Sequence, residues 1–108
     1  MARSHGVSLR YREKINAALY ALAVREGDVR ARLRAVYRYL QMLRPDEVPA
    51  EHREEWTQIL AALTQRGPER GASGEVLRGA LEHTLGRMRN SSGRRIAERV
   101  YSLARQID

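Results

Sequence analysis

The chain is 108 residues long, contains one Trp, no Phe and no Cys, and sets 20 Lys and Arg against 13 Asp and Glu for a formal net charge of +7. That length suits one domain able to bury a core without staples, and the lack of Cys excludes disulfides, thiolate catalysis and Cys-based zinc sites. No run approaches the roughly 18 apolar residues of a membrane span, and the opening MARSHGVSLRYREK has no apolar stretch of secretory type, so a soluble cytoplasmic protein without membrane contact is expected.

Residues 1–7 read as a disordered tail ahead of a helical bundle domain over residues 8–108. Ser8 suits an N-cap, because its hydroxyl can accept a first-turn N–H. The first helix is expected from about Leu9 to Glu26, with Tyr11, Ile15, Ala18, Leu19 and Leu22 on its core face. Tyr20 and Val24 fall on the opposite side and offer a second, smaller contact face. Gly27 suits a helix C-terminal position and Asp28 the next N-cap. A break this short makes the first two helices a hairpin.

The second helix, from Asp28 to Leu43, organises the rest. Val29, Leu33, Val36, Leu40 and Leu43 share one side, and Ala31, Ala35, Tyr37, Tyr39 and Met42 extend the apolar arc around it. A helix apolar over most of its circumference sits among neighbours on several sides. The polar strip that remains holds Arg30, Arg34, Arg38 and Gln41. Arg32 points into the apolar arc instead. A guanidinium there needs a partner: it snorkels along its stem, pairs with a carboxylate of a neighbouring helix, or lies in a functional groove or interface.

Arg44 precedes Pro45 and is disfavoured in α, so this helix ends near Leu43. Pro49 suits the start of a third helix, where Trp56, Ile59, Leu60 and Leu63 form the core stripe. Residues 65–74, QRGPERGASG, read as a mobile loop. Ser73 would cap a fourth helix carrying Val76, Leu77, Ala80, Leu81, Thr84, Leu85 and Met88 on its apolar face. Ile96, Val100, Leu103 and Ile107 line the last segment. A break at Asn90-Ser91-Ser92-Gly93 is slightly preferred over one kinked helix, since these residue types compete with helix. The expectation is an all-α single compact bundle of four or five helices, with the second helix central and no strand.

Little of this points to catalysis. No Lys follows the glycines of residues 65–74, so they cannot form a P-loop, and Gly71-Ala72-Ser73-Gly74 does not match a nucleophile elbow. His52 and Glu55 share a helix face, but carboxylate bundle sites need that pairing twice. No cofactor and no metal site are expected. HEPN-type ribonucleases are small helical bundles with an Arg-Asn pair followed a few residues on by His. Here Arg89-Asn90 is followed by Ser91, Ser92, Gly93, Arg94 and Arg95, so the resemblance stops before its catalytic residue.

The pieces Ser8-Leu9-Arg10 with Arg12-Glu13-Lys14, Val29-Arg30-Ala31-Arg32-Leu33, Leu43-Arg44-Pro45-Asp46-Glu47-Val48-Pro49 and Ile96-Ala97-Glu98-Arg99-Val100-Tyr101-Ser102-Leu103 resemble those of short, all-helical bacterial proteins of unassigned function. The likeness spans most of the chain. It implies a helical fold and a bacterial cytoplasmic setting, and it makes Arg32 part of a motif.

Two functions remain. A small non-enzymatic bundle with an apolar second face at Tyr20 and Val24 suits an accessory or adaptor subunit that docks on a protein partner or self-associates. Alternatively, Arg30, Arg34 and Arg38 could track phosphates, with Arg87, Arg89, Arg94 and Arg95 clustered around the 90–93 break, in sequence-independent nucleic-acid binding. The charge itself is modest support, because only Lys14 is Lys and a G- and C-rich genome encodes Arg without functional intent.

Overall fold

The structure, a computed structural model, describes residues 8–107; the expected tail over residues 1–7 lies outside them. Ser8 opens helix α1 (Leu9–Val24). Its hydroxyl accepts the Tyr11 N–H at 3.0 Å and donates to the Glu47 carbonyl at 3.1 Å. One orphan amide is thereby satisfied, and the helix start is tied to a distant turn. Tyr11, Ile15, Ala18 and Ala21 are the buried stripe, whereas Leu19 and Leu22 are only half-buried. The helix ends two residues before the expected Glu26, with Arg25 extended and Gly27 at φ 97°, a conformation that a Cβ disfavours. Asp28 then caps helix α2 (Val29–Leu40), its carboxylate accepting the Ala31 N–H at 3.1 Å.

Helix α2 packs against α1 and against three later helices, so it is the central helix of an all-α bundle. Leu33, Val36 and Leu40 are fully buried. The helix stops three residues short of the expected Leu43. Its Leu40 carbonyl accepts the Trp56 indole N–H at 3.0 Å, which supplies a donor where the helical ladder ends. Arg44 is extended at φ −94°, ψ 155°, as a position before proline favours. One 3₁₀ turn at Pro45–Glu47 leads into helix α3 (Ala50–Leu63), which Pro49 immediately precedes. Trp56, Ile59 and Leu63 are buried there, as their spacing predicts.

The largest departure lies at residues 65–79. A two-stranded antiparallel hairpin, β1 (Glu69–Arg70) and β2 (Val76–Arg78), stands where a plain loop and a helix start were expected. Glu69 faces Arg78, whose Nε donates to Glu69 Oε1 at 2.6 Å. Gly74, at φ 84°, makes the reversal. An isolated hairpin this small is marginal in water, but helix α4 (Ala80–Arg87) clamps its entry. Thr84 Oγ1 accepts the Arg66 N–H at 3.1 Å and His83 Nδ1 donates to the Gly67 carbonyl at 3.0 Å. Ser73 therefore caps no helix, Gly79 takes that position, and Val76 and Leu77 are exposed on the strand.

The break before helix α5 (Asn90–Arg105) also differs. It falls at Met88 and Arg89, both extended, and residues 90–93 form the first turn of α5. Asn and Ser are tolerated at a helix start, where amides lack partners. Gly93 is buried against α2. A Cβ on it would lie 2.8 Å from Val29 Cγ1 and 3.4 Å from Leu33 Cδ1. It is a packing glycine that sets how closely α5 crosses α2, and not a helix breaker. Val100 and Leu103 of α5 join Tyr11, Ile15, Leu33, Val36, Ile59 and Leu63 in one core cluster.

These two glycine environments predict opposite signs. Gly93→Val should destabilise the fold by about 1–3 kcal/mol through overpacking at the helix crossing. Gly86→Ala, where the new Cβ meets only the flexible end of Arg78 at 3.0 Å, should stabilise it by up to about 1 kcal/mol through helix propensity. Urea unfolding of both variants checks the pair.

Candidate functional site

Three of the four arginines of α2 are held by intramolecular contacts. Arg30 Nη1 donates to the Met88 carbonyl at 3.0 Å, at the α4–α5 joint, while Nε and Nη2 hold Asp28. Arg34 grips Glu82 of α4 with a two-pronged bond of 2.6 and 2.9 Å. That guanidinium, as first cause, holds the Glu82 carboxyl below its ordinary value. Of the expected phosphate strip, Arg38 alone is exposed and makes no hydrogen bond from its side chain among the described residues. A phosphate would have to displace existing partners at Arg30 and Arg34.

Arg32 meets backbone in place of a carboxylate. Its Nε donates to the Gly27 carbonyl at 3.0 Å and its Nη1 to the Leu22 carbonyl at 3.1 Å. These carbonyls lie at and just beyond the end of α1, where helical acceptors lack donors and the helix dipole favours a cation. The half-buried side chain thus closes the corner between α1 and α2.

The same side chain borders an open groove of about 960 Å³ between α1, the start of α2, and α5. Leu19, Leu22, Ala23, Val29 and Ala97 give it apolar walls, and Tyr20 and Tyr101 flank it. Tyr20 is 69% exposed and Tyr101 53%, large values for aromatic rings beside an apolar cleft. Asn16, Asn90, Asp28, Arg32, Arg94 and Glu98 supply the polar lining. The groove therefore gathers Tyr20, Arg32 and Arg94 from the expected site residues. Val24 is exposed nearby, outside the lining. Tyr101, Ala97 and Glu98 were not singled out in the sequence. Their signal was an aromatic residue on the polar side of α5, opposite the Ile96, Val100 and Leu103 stripe.

The remaining arginine cluster is loose. Arg87, Arg89, Arg94 and Arg95 are all exposed around the α4–α5 joint, and none forms an ion pair among the described residues. Arg95 reaches Ser92 Oγ at 3.4 Å. Elsewhere Arg99 of α5 grips Glu55 of α3 at 2.7 and 3.0 Å and reaches Gln58 at 2.9 Å. His52 is a core residue, its Nδ1 2.9 Å from the hydroxyl of fully buried Tyr11. Burial pushes the Tyr11 phenol above its ordinary value, so its hydroxyl keeps its proton. Among the described residues no three His, Asp or Glu side chains group closely enough to hold a metal ion.

Arg32→Ala should cost about 1.5–3 kcal/mol, the range for hydrogen bonds from a charged donor. Arg32→Met should cost less, because it keeps the apolar stem; denaturant midpoints rank the two. A second expectation concerns acid. Arg99 as first cause holds the Glu55 carboxyl down, as Arg34 does Glu82. A depressed folded value contributes stability above the unfolded carboxylate value, here 4.5, that is lost as pH falls below it. Melting temperature should therefore drop as pH falls below about 4.5, and less steeply in the Glu55→Gln, Glu82→Gln double variant. Its melting temperature at neutral pH should start lower.

No protein-family model, curated protein or solved structure matches this chain.

Proposed function

We propose that this chain is a small, non-catalytic helical interaction module, an accessory or adaptor subunit of a bacterial cytoplasmic system, that docks a protein partner through the α1–α2–α5 groove. The observation that carries this reading is the groove itself. It is apolar-walled, about 960 Å³ in volume, and flanked by two largely exposed tyrosines. Tyrosine supplies rigid contact area with a polar tip, the residue type enriched at binding hot spots. Contiguous apolar surface rimmed by polar groups marks interaction sites. The non-catalytic part is supported by the use made of the two histidines among the described residues: His52 bonds Tyr11 in the core, and His83 holds the hairpin. No helix among the described residues is long and apolar enough to cross a membrane.

A second reading, sequence-independent nucleic-acid binding, is favoured by the exposed group Arg87, Arg89, Arg94 and Arg95. It differs in its salt response. On duplex DNA each neutralised phosphate contributes about −0.9 to the slope of log K against log salt. If that reading holds, replacing those four residues by Gln flattens the slope.

Photo-crosslinking separates the readings. A photoreactive amino acid at Tyr101 should give a discrete protein adduct in producing cells. The same group at exposed Thr57 of α3 should not, and Ala97→Arg, which obstructs the groove, should abolish the Tyr101 adduct. No adduct, or adducts with nucleic acid only, would overturn the protein-docking reading.

A further inference from the structure

Resting on that reading, we infer that the groove's occupant is a second copy of this chain, with the two α5 helices lying antiparallel about a two-fold axis. Charge is the first argument. A chain of net charge +7 repels its own copy unless the faces that meet are locally balanced. On the α5 side of the groove the charges left without an ion pair are one of each sign, Arg94 and Glu98, whereas Asp28 is held by Arg30 and Arg32 by the Leu22 and Gly27 carbonyls.

Complementarity of the face to itself is the second argument. Arg94 and Glu98 stand one turn apart on α5, both exposed, and neither forms an ion pair among the described residues. Arg preceding Glu at this spacing is the weaker order for a pair within one helix. A two-fold axis at the level of residue 96, midway between them, places Arg94 of each copy opposite Glu98 of the other. An isologous interface requires this reciprocity, each contact made twice. Ala97, beside this pair, is short enough for close helix approach. Tyr101 and Tyr20 then bury their exposed rings across the joint, each copy lining the other's groove.

Light scattering on the eluting 108-residue chain at tens of micromolar tests the inference. The expected mass is twice 12.4 kDa. Arg94→Glu and Glu98→Arg, taken singly, should each weaken dimerisation by about ten-fold or more, because like charges then face one another. The double variant Arg94→Glu, Glu98→Arg should restore the dimer, with circular dichroism unchanged throughout. A monomeric parent, single swaps without effect, or a double swap that fails to restore association would each overturn the second copy. A monomeric parent that still gives a Tyr101 adduct with a different protein removes this inference alone. A monomer with no adduct removes the docking reading as well.

Discussion

The constraint on which the structure depends is the need to give donors to carbonyls where helices end. Helices joined by short connections leave acceptors unpaired at every C-terminus. At several of these ends and turns, side chains of other elements supply donors. Arg32 serves Leu22 and Gly27, Arg30 serves Met88, and Trp56 serves Leu40. Arg10 serves Met42, and Arg53 serves Pro45 and Val48. Each bond ties a helix end or a turn to a side chain elsewhere in the fold. Arginine suits this work better than lysine, because its planar fork reaches two acceptors at once without losing charge.

The strongly basic composition takes on a different meaning in that light. Arg34 and Arg99 stitch α2 to α4 and α5 to α3 through two-pronged carboxylate bonds. Such half-exposed pairs contribute little stability individually, but their geometry restricts how the helices slide. A large share of the positive charge is thus tied to the chain's own carbonyls and carboxylates. Among the arginines left for a partner are those of the α4–α5 corner and Arg94 at the rim of the groove.

That groove lies between α1, the start of α2 and α5, and no other element among the described residues lines it. Gly93 brings α5 down onto Val29 and Leu33 at one end, while Arg32 occupies the α1–α2 corner. Leu19 and Leu22 are left half-buried. The hairpin cannot fill the space, because its entry is held against α4 by Thr84 and His83.

The sequence by itself determined the helical architecture and the centrality of α2. Helical periodicity, N-cap chemistry and the geometry before proline are local effects, carried by the residues concerned, and Ser8, Asp28, Arg44 and Trp56 show them. Only the tertiary structure decided the rest. Val76 and Leu77 sit at the right spacing from Ala80 and Leu81 for a helix, and strands of two and three residues show no period of their own. The Glu69–Arg78 pair and the clamp from α4 chose the hairpin. Gly93 carries the same composition as a helix breaker, and only the presence of Val29 beneath it makes it a packing residue. The groove joins side chains from α1, α2 and α5 that are far apart in the chain. Its exposure depends on which neighbours fail to arrive, a property of the assembled fold and of no single segment.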